Sequence, residues 1–139
     1  AVALSHEVKL PQARDIPGRT LLPVYGRSTV MLTEKCVLKE LGGCKSGVCR
    51  SYGELCDRRN AKFPVMPLPP CPRDPGEANH RSEIFNSLPT YMADREEELR
   101  RHRIAGRLFI FTVEKKEEAA DIIEMYEKGS PAPFPVRRI

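Results

Sequence analysis

The sequence has no tryptophan, and aromatic residues make up 6% of it. Platforms on which unpaired bases stack are therefore not evident. No apolar run approaches the ~20 residues that a membrane-spanning helix needs. No basic segment followed by an apolar one marks a secretory leader. The expectation is a soluble chain in a reducing, cytoplasmic setting, where free thiolates persist. His-Glu-x-x-His is absent, and no serine or cysteine stands in a recognisable nucleophile setting beside its base. There is no initiator methionine either, and a chain that opens mid-pattern at Ala1 reads as a fragment.

Cysteine is abundant, and all of it lies in one place. The five cysteines, Cys36, Cys44, Cys49, Cys56 and Cys71, have the spacing C-x7-C-x4-C-x6-C-x14-C. Cysteines crowded like this without a secretory leader point to a metal or cluster site more than to a disulfide framework. Gly42, Gly43, Gly47 and Gly53 punctuate the same stretch, so its backbone can wrap closely around a small object. Net charge is +4, with 30% charged residues spread over loops and helix faces, a mild pointer to an anionic partner.

The flanking segments read as alternating strands and helices. Ala1–Ser5 ends a short buried strand with His6 at its carboxyl end, and Leu10–Ile16 suits a short helix with Pro11 in its first turn. Thr20–Tyr25 is a continuous apolar run, the pattern of a strand covered on both faces, although Pro23 removes a ladder donor. Phe63–Met66 is a brief extended piece, and the prolines from Pro67 to Pro75 hold the chain open and stiff. Arg81–Ser87 suits a short strand. Tyr91–His102 reads as a charged outer helix with Glu96–Arg100 and Glu97–Arg101 pairs, each worth about 0.3 kcal/mol. Arg107–Val113 is the clearest strand. It feeds a helix over 114–128 whose apolar residues Ala119, Ile122, Ile123 and Tyr126 share one face, with Gly129 as its stop. Residues 131–139 read as a flexible tail. The alternation argues for a parallel sheet with crossover helices, in three parts: βα units over 1–35, a cysteine-rich excursion over 36–80, and further βα units over 81–130.

The ordered set Tyr25-Gly26-Arg27, Met31-Leu32-Thr33-Glu34-Lys35-Cys36, Gly43-Cys44, Leu55-Cys56-Asp57-Arg58, Phe63-Pro64-Val65, Cys71 and Ile84-Phe85-Asn86-Ser87 resembles the collagenase-like peptidase family of unassigned catalytic type (peptidase family thirty-two of that class). The resemblance runs from about Leu4 to Gly129. It implies an α/β fold, the C-terminal fragment of a TIM-type (β/α) barrel with a long cysteine-rich cluster-binding loop. It also implies a four-iron four-sulfur cluster and the hydroxylation of transfer or ribosomal RNA bases or of ubiquinone precursors. Other members carry the label of collagenase-like protease. Carried over by motif, the metal ligands are Cys36, Cys44, Cys71 and, close after Cys44, Cys49. Cys56 is left out, since relatives usually have Thr or Ile before Asp-Arg. The partners implied are RNA and the missing N-terminal barrel part or a partner chain.

Other chemistry fits some of the same residues. The thiolates also suit a structural zinc in a non-catalytic module, although zinc sites favour tighter C-x2-C pairs. Lys35, Lys45, Arg50 and Arg58 would offset a cluster's charge. Arg27 and Arg58 are candidates to clamp a carboxylate or phosphate of the substrate, against the alternative that each pairs with an acidic neighbour such as Asp57. His6 lies where barrel enzymes place chemistry, while a lone surface histidine is the commoner case. His80 reads as part of an exposed loop, and Asn86 and Ser87 as turn caps.

Overall fold

The computed structural model describes residues 1–42, 44–45, 48–49, 52–68 and 81–137. Its elements in chain order are β1 (Val2–Ala3), α1 (Leu10–Ala13), β2 (Thr20–Gly26), β3 (Thr29–Thr33), α2 (Val37–Glu40), β4 (Cys44–Lys45), β5 (Val48–Cys49) and β6 (Gly53–Cys56). There follow β7 (Lys62–Pro67), β8 (Ser82–Phe85), β9 (Thr90–Tyr91), a 3-10 turn (Ala93–Arg95), α3 (Glu96–Arg101), β10 (Gly106–Ile110) and α4 (Lys116–Lys128). They form two compact units, one of Ala1–Ser28 with Leu88–Ile139 and one of Thr29–Ser87.

The first unit is built on β2, which pairs in parallel with β1 and β10 and antiparallel with β9. Its apolar run is buried along most of its length, as a strand covered on both faces requires. Pro23 has no N–H to give the ladder, and the strand answers with a bulge. Leu108 pairs with Pro23 and Phe109 with Tyr25, so Val24 is passed over. At the end of β2, Gly26 has φ +128° and lies so close to β10 that a Cβ would stand 2.2 Å from the Ile110 carbonyl oxygen. Only glycine fits there.

α4 closes this unit. Ile122 and Tyr126 are buried, whereas Ile123 is 43% exposed, so the apolar stripe is narrower than its spacing implies. The Glu118 carboxylate accepts the Lys115 N–H at 2.7 Å, and Gly129 at φ 62° ends the helix. The Tyr126 hydroxyl donates to the Val24 carbonyl at 2.5 Å and accepts the Met92 N–H at 2.8 Å. In α3, Leu99 turns into the core while Glu96–Arg100 and Glu97–Arg101 pair at 3.4 and 3.9 Å on the exposed side. Such surface pairs add little. From the tail, Phe134 meets Tyr91 edge to face, with ring centroids 5.8 Å apart, and Val136 packs on the same core.

The second unit is an antiparallel sheet in the order β3-β8-β7-β6 together with the small hairpin β4-β5. Among the described residues, Cys36, Leu38, Val65 and Ile84 form its buried apolar cluster, flanked by Val37, Leu55 and Phe63, and Ser82 and Phe85 are buried as well. Gly53 is small because Leu38 lies over it, 2.6 Å from where a Cβ would stand. The turn from β6 to β7 is wound on Asp57, whose carboxylate accepts the N–H groups of Arg59 and Ala61 at 2.7 and 2.9 Å. Asn60 takes the left-handed conformation there, at φ 61°.

The expected portion of a TIM-type barrel is not what forms. The parallel strands are β1, β2 and β10, which make an open sheet that β9 joins antiparallel. The segment read as a cysteine-rich excursion carries an antiparallel sheet of its own. The fold is a small mixed α/β one, with antiparallel pairing in both sheets and few helices. Strand and helix alternate along the sequence at its two ends, but Phe63–Met66 and the strand after Arg81 pair directly with each other, and they do so antiparallel. No helix among the described residues is long and apolar enough to cross a membrane.

Replacing Tyr126 by Phe removes one hydroxyl and strands both the Met92 N–H and the Val24 carbonyl in a buried place. It should lower unfolding free energy by about 1–3 kcal/mol in urea titrations, while Tyr52→Phe, at an exposed hydroxyl, should leave it nearly unchanged.

Candidate functional site

Three of the four expected thiolate positions fall on described elements of the second unit, and the local chemistry explains how the first is placed. Cys36 stands just before α2 with an extended backbone (φ −73°, ψ 104°), and its thiol takes no part in capping the helix. It is 5% exposed. The residues ahead of it are tied to β8: the Thr33 hydroxyl donates to the Lys35 carbonyl at 2.6 Å and accepts the Ser82 N–H at 3.3 Å. The fully buried Ser82 accepts the Val37 N–H on its Oγ at 2.9 Å. Glu34 takes two hydrogen bonds from Arg81, at 3.1 and 2.9 Å. Thr33, Glu34 and Lys35 thus fix the point at which Cys36 enters the core.

Eight positions further on, Cys44 and Cys49 are direct partners across the β4-β5 hairpin, with Lys45 opposite Val48. Opposed positions of an antiparallel ladder share a face and lie about 4.5–5.5 Å apart at Cα. α2 lies against both β4 and β7. Cys36 is therefore joined to the hairpin by one short helix. The side chains at 44 and 49 lie outside the described residues, as do Cys71 and His80. Among the described side chains no three His, Cys, Asp or Glu come together as a metal group.

Thiolates are soft ligands, of the kind that iron–sulfur clusters and zinc select. Positions 44 and 49 are opposed on the hairpin, and the Cys36 thiol makes no hydrogen bond to the helix end. Cys56 is different in kind. It is exposed at the end of β6, and its thiol approaches the Asp57 carbonyl at 3.7 Å and the Asn60 side-chain oxygen at 3.9 Å. Arg58 is exposed on the same turn, where the Asp57 carboxylate is taken up by backbone N–H groups. Asn86 and Ser87 follow β8 and are half-buried.

Arg27 and His6 belong to the first unit, at the carboxyl ends of β2 and β1. Beside Arg27, the Tyr25 hydroxyl donates to Glu114 at 3.1 Å, and the other oxygen of that carboxylate accepts the N–H groups of Thr112 and Val113 at 2.7 and 3.1 Å. Burial first, then the Glu114 charge, holds the Tyr25 phenol well above its ordinary range, with the Arg27 charge opposing. A carboxylate bonded three times in this way serves as a loop clasp rather than a base. Around His6, the Nδ1 atom is buried with no hydrogen-bond partner, and Arg137 lies near enough for its charge to act on the ring. Arg137 sits in what reads as a tail and Glu114 reads as a residue of the helix start, so no local pattern marks either contact.

Burial, and next the Arg137 charge, lower the pKa of His6 from its ordinary value of 6.5. The unfolded chain then takes up this proton first, so stability is intact above about pH 6.5 and falls as pH drops through that value. His6→Gln should lose less stability than the parent chain between about pH 7.5 and about pH 5.5, as read from urea midpoints; equal losses would mean that His6 does not titrate differently on folding. Comparisons with family models, curated proteins and solved structures find no match for this chain.

Proposed function

We propose that this chain binds a four-iron four-sulfur cluster through Cys36, Cys44, Cys49 and Cys71 and serves the hydroxylation of an RNA base or a related ring substrate. The observation that carries the cluster is the direct pairing of positions 44 and 49 across a hairpin that α2 joins to Cys36. Thiolates at such spacing bind iron–sulfur clusters when deprotonated, and the cluster brings one-electron chemistry to the site. The reaction class rests on the resemblance of the ordered motifs from Tyr25 to Ser87. Net charge +4 suits an anionic substrate such as RNA. A zinc ion on the same ligands is the rival, and metal content separates the two. The described contacts offer nothing in favour of a peptidase.

Purified without oxygen, the chain should be brown, bleach with dithionite and hold iron and sulfide near four each, the stoichiometry of a cubane. A colourless protein with one zinc would remove the proposal. Cys44→Ser, Cys49→Ser and Cys71→Ser should each lose most of the iron, and Cys56→Ser should keep it. Iron retained in Cys49→Ser but lost in Cys56→Ser would exchange the fourth ligand. Cys36→Ser should lose iron and also stability, because Cys36 is part of the core.

A further inference from the structure

The five cysteines allow many pairings, and the described backbone singles out one of them. Cys44 and Cys49 are register partners in the antiparallel hairpin β4-β5, with Lys45 opposite Val48. Directly opposed residues of such a ladder share a face and lie about 4.5–5.5 Å apart at Cα. A disulfide needs Cα atoms about 4.4–6.8 Å apart and Cβ bonds that do not diverge. The hairpin register meets both demands.

The other described cysteines are placed otherwise. Cys36 is 5% exposed within the apolar cluster of Leu38, Val65 and Ile84, where an oxidant in solution does not reach it. Cys56 is exposed, but the residue opposite it on β7 is Lys62. Both thiols are free. Joining Cys44 to Cys49 also costs little order, because four residues separate them and the backbone pairing already holds their positions together.

We infer that Cys44 and Cys49 are a redox modification site, closing to an intrachain disulfide in the metal-free chain by exchange with a small-molecule disulfide such as oxidised glutathione. One cysteine thiolate attacks a glutathione sulfur, forming a mixed disulfide and releasing one glutathione thiol. The opposed cysteine then attacks the protein sulfur of that mixed disulfide and releases the second. The pair gives up two electrons and two protons, and the oxidant takes up both and leaves as two thiols. A partner held opposite makes the second step intramolecular, so the mixed disulfide does not accumulate. A dithiol reverses the sequence. Sulfurs bonded to each other are no longer thiolates, so the oxidised hairpin has no metal ligands to offer. That consequence rests on the proposed ligand set, whereas the disulfide does not.

The test uses the full 139-residue chain, stripped of metal with a chelator, reduced, freed of reductant and exposed to oxidised glutathione. Remaining thiols are alkylated and the chain is digested with trypsin. Cleavage after Lys39, Lys45 and Arg50 puts Cys44 in the peptide 40–45 and Cys49 in the peptide 46–50, so the two stay together only through a disulfide. Mass spectrometry should find this linkage about tenfold over any other pair, with Cys36 alkylated, and dithiothreitol should abolish it. Cys44→Ser and Cys49→Ser should each stop at the glutathione adduct. Recovery of both peptides unlinked, or linked mainly to other cysteines, overturns the inference. A preference no greater in native buffer than in concentrated urea overturns it too, since hairpin register is then not the cause. Iron reconstitution of the oxidised and reduced chains separates the two readings. Linkage with equal iron uptake in both forms leaves the disulfide standing and removes the ligand set, while iron uptake without linkage does the reverse.

Discussion

One proline sets the geometry of the first unit. Pro23 sits in the middle of the strand that three others pair with, at a place where a backbone donor is missing, and the ladder to β10 slips by one residue beside it. The slip leaves Val24, which is fully buried, without a partner residue in β10. Tyr126 answers the Val24 carbonyl from α4, while taking the Met92 N–H with its own hydroxyl oxygen. A buried carbonyl without a partner costs about 1–3 kcal/mol, so the bulge is tolerable because the helix is there. The helix in turn is located by the bulge. Since side chains alternate along a strand, a shift of one residue also decides which residues after Pro23 face the core. Tyr25 faces inward and is 2% exposed, and Gly26 meets Ile110 backbone to backbone. The position of Ser28 follows from these two.

The segments with strong local periodicity were legible in the sequence. α4 announces itself by its apolar spacing and its glycine stop, β10 by its apolar run, and the Glu96–Arg100 and Glu97–Arg101 pairs by their separation of four residues. These features depend on residues within about two turns of helix or one strand. The four-stranded antiparallel sheet was not legible as a sheet. β3 pairs with β8, bringing Thr29 to Glu83 across a sequence separation of 54, and no local pattern states which distant strand a given strand will choose. β3 adds a further obstacle. Val30, Met31 and Leu32 are 49%, 56% and 64% exposed, so its apolar run reads as buried although it lies at the sheet's edge. Alternation of strands and helices at the two ends of the chain then made a parallel barrel the natural expectation, because the antiparallel pairing between them leaves no mark on composition.

Contacts differ in how far they could be read. Cys44 and Cys49 are a short-range pair, with four residues between them in the sequence. Their grouping with Cys36 is also local, since among the described residues α2 alone stands between Cys36 and β4. Ser28 and Arg137 have no such local link. Ser28 and Arg137 are 109 residues apart, and their meeting depends on β9 pairing with β2 and on the tail bridging to Thr90. Neither event is encoded near Arg137 itself.

The way the second unit is inserted bears on how so small a core can hold it. The apolar cluster of Cys36, Leu38, Val65 and Ile84 is small for an independent sheet among the described residues. Its two ends, however, are fixed twice. Within the first unit Gly26 pairs with Thr90, and within the second Thr29 pairs with Phe85. Closing the chain between these points costs conformational entropy that grows slowly with length, about 0.6 kcal/mol for each doubling. Once the β2–β9 pair has formed, that closure is already made, and the inserted sheet has only its internal order to supply. A metal centre on Cys36 and the hairpin would add binding free energy to the folded form alone. Its largest effect would fall on α2 and β4-β5, which lie beside the small apolar cluster and contribute a single fully buried side chain, Leu38, to it.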